Sequence, residues 1–359
     1  MILKNEVYMV NSSNKFFLKK LILFTIMAAF FLAGIVFIFD PFFHYHKPIR
    51  PLKAVLNQAE YQVIGTLRTF DYDSIIAGSS MAENYNNAWF DEVFDCTAIK
   101  AVKPGANTSD LVYLLEAAYE EKEIKNVFYT LDISALTTII QHHFVNEGMP
   151  LYLYNKNPFD DVKYIFNKHV IFEDIPYMIA NSFIGDYDEG NSFNWAQYKQ
   201  FNTLIYDPIE EKEPEKNFDE YGENIDFNLD KLENLVKMHT ETKYIFMVPP
   251  YSTLWWHDAY MHGDLEQDFY ALDQAFIRLL PYENVEIHYF QNMEEIISDL
   301  TLYMDLIHYH PDVNKTLVDL IPTNEYKVTL KNKDEVLENM KIMANKCITE
   351  YAEEYFKNK

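Results

Sequence analysis

Ser80 is the first residue of this chain whose setting suits nucleophilic chemistry. It follows the apolar run Ile75 to Ala77 and Gly78, and the residues from Met81 to Phe94 have the pattern of a helix. The sequence therefore predicts a hydroxyl at the point where a strand passes into a helix. Backbone N–H groups at a helix start lack intrahelical partners and favour a developing negative charge. A Gly-Ser-Ser segment alone fits an ordinary turn and helix cap equally well.

Asp305 and His308 supply what a serine nucleophile needs. A hydroxyl reacts when a base removes its proton, and the base needs a third group that fixes its tautomer. In Asp305-Leu-Ile-His308 the spacing lets the carboxylate reach Nδ1–H of the histidine while Nε2 faces Ser80. An isolated Asp-x-x-His pair also occurs on solvated surfaces, so this interpretation depends on the combination with Ser80.

The elements that must position these residues alternate between strand and helix. The predicted strands are 74–77, 98–102, 126–133, 244–248 and 285–290. The predicted helices are 108–121, 229–239, 265–280 and 312–321. This alternation predicts an α/β fold, a three-layer sandwich with a mainly parallel, flavodoxin-like sheet. Ligands bind at the carboxyl ends of such strands, and Ser80, Gly105 and Pro249-Pro250 all follow strand ends.

One N-terminal segment predicts a membrane anchor. Residues 21–39 carry no charge, and at about 1.5 Å per helical residue they span a hydrocarbon core of roughly 30 Å. Lysines precede this segment and no small-x-small cleavage site follows, which favours an uncleaved single-pass anchor. We therefore expect a cytoplasmic tail at 1–20, a transmembrane anchor at 21–39 and a juxtamembrane segment at 40–72.

The rest of the chain is expected on the extracytoplasmic face of the cell membrane. The predicted catalytic domain covers residues 73–330 and contains a large, aromatic and irregular insertion at 134–226. Residues 331–359 predict an amphipathic C-terminal helix. The formal net charge of −25 argues against nucleic acid and anionic lipid headgroups as partners. Cys96 and Cys347 are too few for a disulfide scaffold, and we expect two buried thiols.

Other residues suggest binding chemistry less specifically. Tyr251, Trp255 and Trp256 follow a predicted strand end, where aromatic rings stack on a sugar or pack against the insertion. Three histidine pairs lack the cysteines or carboxylates that would complete a metal site, so neither a metal nor a cofactor is predicted. These pairs are His44 with His46, His142 with His143, and His308 with His310.

Three blocks, in this order, resemble the SGNH hydrolase superfamily. They are Gly78-Ser79-Ser80, Lys103-Pro-Gly105-Ala-Asn107-Thr-Ser-Asp, and Tyr303-Met-Asp305-Leu-Ile-His308-Tyr-His-Pro-Asp-Val-Asn314. The set is more closely similar to membrane-anchored SGNH-like proteins that acylate cell-envelope polymers. That group includes the D-alanine transfer protein of teichoic acid modification and the alginate O-acetylation proteins. The segment Asp40-Pro-Phe-Phe-His-Tyr-His46 after the anchor also resembles this group.

The resemblance implies a role for each matching residue. Ser80 would be the nucleophile, His308 the base and Asp305 the orienting acid. The backbone N–H groups of Ser80 and Gly105 would form the oxyanion hole.

One block departs from the superfamily pattern. The superfamily adds an asparagine from a Gly-x-Asn-Asp block, whereas the third strand here ends Tyr129-Thr-Leu-Asp132-Ile-Ser. Asn107 is a candidate substitute, with stabilisation of its own turn as the alternative. The loss of one oxyanion donor costs ~100-fold or more in rate.

The resemblance also implies a function. The chain would be an extracytoplasmic serine acyltransferase that takes an acyl group, expected to be acetyl, from a membrane-bound O-acyltransferase partner. It would pass that group to a hydroxyl of a cell-envelope polysaccharide; with water as the acceptor, it would be a carbohydrate esterase. The alternative from another class is a non-catalytic glycan-binding or scaffold component of an acylation complex. The missing asparagine favours this alternative, and the intact Ser80, Asp305 and His308 oppose it.

Overall fold

The computed structural model describes residues 2–138, 143–144 and 149–358, with side chains from residue 14 onward. The chain divides into two compact units. The anchor unit contains residues 1–55 and 150–187, and the sheet unit contains residues 56–149 and 188–359. This division passes through both the predicted juxtamembrane segment 40–72 and the predicted insertion 134–226.

Helices and short strands make up most of the described chain. The strands are β1 (Ser74–Gly78), β2 (Ala98–Val102), β3 (Asn126–Thr130), β4 (Lys243–Val248), β5 (Val285–Tyr289) and β6 (Lys327–Val328). The helices are α1 (Ile2–Phe39), α2 (Ala59–Thr69), α3 (Ser80–Glu83), α4 (Asn87–Phe94), α5 (Thr108–Tyr119), α6 (Ile133–Thr137), α7 (Leu151–Tyr154), α8 (Val162–Ile165), α9 (Ile175–Phe183), α10 (Phe218–Met238), α11 (Thr253–Met261), α12 (Leu265–Leu279), α13 (Glu294–Ile297), α14 (Pro311–Leu320), α15 (Lys333–Lys346) and α16 (Ala352–Asn358).

The sheet unit is built on six strands in the order β2-β1-β3-β4-β5-β6. The first five pair in parallel, and β6 pairs antiparallel with β5. Every residue of β1, β2 and β3 is buried. Strands buried on both faces are mostly apolar in sequence and lack the alternating pattern of half-exposed strands, although the buried Lys100 interrupts β2. The predicted α/β class and the mainly parallel sheet are therefore confirmed.

Helix α1 begins the anchor unit. Within Asn14–Phe39, the most apolar window of 18 residues has a mean hydropathy of 2.8, and only 6% of that window is buried. By length and composition this part of α1 can cross a membrane, although a secretory signal sequence has the same properties.

The turn after α1 is stabilised by one buried carboxylate. Asp40 has a left-handed backbone (φ 38°), which ends the helix. Its carboxylate accepts the backbone N–H groups of His44, Tyr45 and His46 at 2.7 to 3.0 Å. Tyr164 of α8 donates its hydroxyl to the same carboxylate at 2.7 Å. The end of α1 is therefore fixed to α8, which is 124 residues away in the chain.

Two predicted elements differ from the structure. The expected single helix over 81–94 is two helices, because Asn86 accepts the N–H of Ala88 and starts α4 anew. Helix α10 begins at Phe218 rather than at 229, so residues 218–226 belong to a framework helix and not to an irregular segment. Its start is stabilised by the Glu220 carboxylate, which accepts the N–H of Asn217 at 2.6 Å.

Both cysteines are free thiols. Cys347 is buried, as expected, whereas Cys96 is only half-buried.

Candidate active site

Ser80 begins α3 directly after β1, which lies between β2 and β3 in the sheet. The chain turns tightly at this point because Gly78 has no side chain. A Cβ atom on Gly78 would lie 2.7 Å from Cβ of Ala82 and 2.9 Å from Cβ of Thr130. Glycine therefore allows the first turn of α3 to pack onto the end of the sheet and presents Ser80 at the rim.

Ser80, His308 and Asp305 form one hydrogen-bonded chain. Oγ of Ser80 lies 2.8 Å from Nε2 of His308, and Nδ1 of His308 lies 2.7 Å from Oδ2 of Asp305. Because an ionised carboxylate only accepts hydrogen bonds, Nδ1 carries the proton and Nε2 is left as an acceptor for the serine hydroxyl. The three residues singled out from the sequence are thus brought together, and their catalytic roles stay predictions.

The Asp305 carboxylate also organises the loop that carries His308. Its Oδ1 accepts the backbone N–H of Ile307 at 3.0 Å and that of His308 at 2.8 Å. Burial raises the pKa of Asp305, but the hydrogen bonds from the His308 side chain and from these two N–H groups outweigh it and hold the pKa below its usual value. Asp305 is therefore ionised at neutral pH.

The loop from 303 to 309 is fixed against the end of β4. Tyr303 and Tyr309 form an antiparallel bridge that closes the loop. The Tyr303 hydroxyl donates to the carbonyl of Pro250 at 2.7 Å. Ser252 donates both its N–H and its hydroxyl to the carbonyl of Leu306, at 3.0 and 2.9 Å. His308 is therefore held at the carboxyl rim of the sheet.

Trp195 is a site residue that the sequence did not reveal. Its Nε1 donates to the carbonyl of Ser80 at 2.9 Å. The same ring meets the His308 ring edge-to-face, with centroids 5.1 Å apart. One side chain therefore contacts both the proposed nucleophile and the proposed base. No local motif marks it, because it lies 115 residues from Ser80 in the chain.

Asp132 supports the turn that carries Ser80. It follows β3 and accepts the hydroxyl of Ser79 at 2.6 Å and the hydroxyl of Tyr251 at 2.6 Å. Burial raises the pKa of Asp132, and these two hydrogen bonds oppose that rise. The carboxylate therefore joins the ends of β1, β3 and β4.

A cavity of about 370 Å³ opens beside the serine and the histidine. Ser80 and His308 line it, together with the aromatic side chains of Phe193 and Trp195. Glu83 also lines the cavity, and burial raises its pKa to about 8. The volume lies within the range of small-ligand sites in proteins.

Lys100 connects two parts of this cavity wall. It lies in β2 with no exposed surface, and its Nζ donates to the backbone carbonyls of Glu83 and Ser192. Burial lowers the pKa of Lys100 to about 7. The helix that starts at Ser80 and the segment that carries Trp195 are thus fastened to the same strand.

The predicted oxyanion donors differ in their suitability. Gly105 is exposed and has a left-handed backbone (φ 60°), a conformation that favours glycine. Among the described residues, no hydrogen-bond acceptor partners the backbone N–H of Ser80 or of Gly105. The Asn107 side chain is engaged in its own turn, because its Oδ1 accepts the N–H of Asp110 at 3.0 Å and its Nδ2 donates to the Asp110 carboxylate at 3.0 Å. Its oxyanion role therefore stays a prediction. Asn107 caps α5 and stabilises its own turn.

The binding of substrate by Tyr251, Trp255 and Trp256 stays a prediction, and the packing of these side chains gives it no support. Trp256 is fully buried and Tyr251 is 2% exposed. The Trp255 ring packs against both of them, at centroid distances of 4.9 and 4.7 Å. None of the three lines the cavity.

Two of the histidine pairs have structural contacts. The His310 ring accepts the N–H of Asp312 at 3.2 Å and caps α14, and the His44 ring lies 3.1 Å from the Asp161 carboxylate. His142 lies outside the described residues. Within residues 2–138, 143–144 and 149–358, no group of three or more His, Cys, Asp or Glu side chains is arranged to hold a metal ion.

No protein-family model and no curated protein matches this chain. A solved structure described as "a putative platelet activating factor from Streptococcus pneumonia" is similar over 74% of this chain and 90% of its own, with 9% sequence identity and a TM-score of 0.40. A similarity at that level supports no conclusion about the fold or the activity of this chain, which are argued from its own residues.

Proposed function

We propose that the chain is a serine acyltransferase that works through a covalent acyl–Ser80 intermediate. The observation that carries this proposal is the continuous hydrogen-bonded chain from Ser80 Oγ through His308 to Asp305, with contacts of 2.8 and 2.7 Å. A base within reach of a serine hydroxyl, oriented by a carboxylate, is the arrangement that activates serine. A cavity large enough for a substrate opens beside it.

The reaction would proceed in two halves. Ser80 Oγ attacks the acyl carbonyl while its proton passes to Nε2 of His308, and Asp305 stabilises the imidazolium that forms. The backbone N–H groups of Ser80 and Gly105 hold the oxyanion. When the tetrahedral intermediate collapses, the leaving group takes the proton from His308. An acceptor hydroxyl, deprotonated by His308, then attacks the acyl–Ser80 ester. When this second tetrahedral intermediate collapses, the Ser80 oxygen leaves and takes the proton back from His308.

The proposed donor and acceptor follow from the resemblance to the envelope-acylating SGNH-like proteins. The donor would be an acyl group, expected to be acetyl, delivered by a membrane-bound O-acyltransferase. The acceptor would be a hydroxyl of a cell-envelope polysaccharide. Helix α1 would anchor the chain, with the sheet unit on the extracytoplasmic face as a three-layer SGNH-type sandwich.

The competing proposal is a non-catalytic glycan-binding or scaffold component. It is favoured by the engagement of Asn107 in the α5 cap, since the oxyanion would then rely on backbone N–H groups alone. A weaker oxyanion hole would slow hydrolysis, and slow hydrolysis also suits a transferase, because water must not consume the acyl–enzyme before the sugar does.

Active-site labelling separates these proposals. The full chain in detergent is treated with a fluorophosphonate, which reacts with activated serines, and the adduct is located by intact mass and peptide mapping. If the probe labels Ser80 in the wild-type protein and labels neither Ser80→Ala nor His308→Ala, the result supports acyl-transfer chemistry. Ser134→Ala, a change at an exposed serine, is the matched control and should label normally. A folded, unlabelled wild-type protein would favour the scaffold role.

A further inference from the structure

The anchor unit exposes large apolar side chains outside α1. Ile184 is 88% exposed, Phe159 is 85% exposed and Phe172 is 74% exposed. Val162, Phe166 and Phe183 are exposed as well. A water-soluble surface rarely presents so many large apolar residues within so short a stretch, and such surfaces mark contacts with proteins or membranes.

These side chains belong to a segment with a separate packed interior. Tyr164 and Val170 are fully buried, and Met178 is nearly so. The apolar residues that stabilise this segment therefore point inward, and the exposed phenylalanines and Ile184 are not needed for its core. Because these side chains are both apolar and exposed, we expect another apolar surface to cover them.

The segment is attached to the end of the proposed membrane helix. The Tyr164 hydroxyl donates to Asp40, the first residue after α1, and accepts the N–H of Phe42 at 3.2 Å. The Phe42 and Tyr164 rings also stack, with centroids 5.2 Å apart. Helix α8 is thus fixed where the apolar length of α1 ends, which is where a bilayer would pass into its headgroup layer.

Basic side chains accompany the exposed apolar ones. Lys163 and Lys168 are both exposed and flank Phe166 in the sequence. Lysines extend their ammonium groups toward lipid phosphates while their alkyl stems lie along apolar surface. Glu173 and Asp186 are exposed in the same segment, so its contact with lipid would come from the apolar side chains and not from a net positive charge.

We infer that the exposed surface of residues 150–187 is a lipid-binding surface that rests in the headgroup layer of the bilayer into which α1 inserts. The inference rests on the anchoring part of the proposed function and is independent of the chemistry at Ser80. The sequence indicates only that this segment is part of an irregular insertion. The inference assigns it a phospholipid surface as its partner.

The test places tryptophan at single positions of the full chain, reconstituted in phosphatidylcholine vesicles with or without brominated phosphatidylcholine. Bromine quenches tryptophan only at close range, and the wild-type signal is subtracted. Phe172→Trp and Ile184→Trp report on the proposed surface. Phe30→Trp reports on α1, and Ile342→Trp, an exposed apolar position on α15, is the matched control.

The inference expects the added fluorescence to fall by about half or more at positions 30, 172 and 184 and to be unchanged at 342. If only the tryptophan at position 30 is quenched, the lipid-binding surface is rejected and the membrane anchor is retained. If 172 and 184 stay unquenched but crosslink to a protein in native membranes, the surface belongs to a protein partner and the inference is likewise overturned. Absence of quenching at all four positions would reject both the anchor and the surface.

Discussion

Replacement of Asp305 by asparagine tests the proposed active site most directly. The wild-type carboxylate accepts the N–H of Ile307 and of His308 on Oδ1, and Nδ1–H of His308 on Oδ2. Asparagine retains one carbonyl oxygen, which the two backbone N–H groups will occupy. Its NH₂ group then faces Nδ1 of His308, and two donors cannot bond each other. The ring must therefore move its proton to Nε2, which can no longer accept the Ser80 proton.

The expected loss is large, while the fold should persist. Serine hydrolases whose histidine is held in the wrong tautomer lose about 10⁴-fold in rate, equivalent to about 5 kcal/mol of transition-state stabilisation. We expect a similar fall in the second-order rate constant for fluorophosphonate labelling of Ser80 in Asp305→Asn. The melting temperature should change little, because both backbone hydrogen bonds of the loop remain.

Asp312→Asn provides the matched control. Asp312 is a second acid of the same region, and its side chain is 91% exposed. Its substitution should leave the labelling rate within about twofold of the wild-type value, since removal of an exposed charge has little energetic effect. A folded Asp305→Asn protein that labels within tenfold of wild type would refute the orienting role of Asp305.

Three further predictions concern the surroundings of Ser80. Trp195→Phe removes the donor to the Ser80 carbonyl but keeps an aromatic ring, so labelling should slow by roughly tenfold or less; a loss of several hundredfold would contradict a supporting role. Ser79→Ala leaves the buried Asp132 carboxylate short of one donor, so the free energy of unfolding in urea should fall by about 1–3 kcal/mol, and an unchanged value would count against this contact. Burial raises the pKa of Glu83 from 4.5 to about 8, so the unfolded chain loses this proton before the folded protein does, and stability should fall as pH rises from about 5 to about 8. Glu83→Gln should flatten that decline in thermal unfolding, whereas an unchanged slope would contradict the assignment.

Local patterns were sufficient to predict the sheet. Strands β1, β2 and β3 are buried along their whole length, and most of their residues are apolar in the sequence. The Asp-x-x-His segment was also readable, because its spacing alone lets Asp305 accept both the ring and the backbone N–H of His308.

Contacts between distant residues could not be predicted in this way. The bond from Trp195 to Ser80 spans 115 residues, and the bond from Tyr164 to Asp40 spans 124. No periodicity within either segment indicates its partner, because these contacts depend on how the chain returns to the site. The same limit applies to Tyr251, whose place after a strand suggested an exposed ring, whereas its side chain is buried and its hydroxyl donates to Asp132.

The hydrogen bonds that hold the cavity wall in place affect whether water or a sugar acts as the acyl acceptor in the proposed reaction. A lid that closes over an acyl–enzyme needs freedom to move. Here the Trp195 indole donates to the Ser80 carbonyl, while Lys100 fastens the carbonyls of both Ser192 and Glu83. The wall and the turn that carries the nucleophile are therefore joined by hydrogen bonds on the described side of the cavity. Water must then be displaced by whatever fills the space of about 370 Å³, which is far larger than an acetyl group requires. Under the proposed function, the acceptor sugar itself would occupy most of this cavity, so transfer would depend on the acceptor being bound before the acyl–Ser80 ester is attacked.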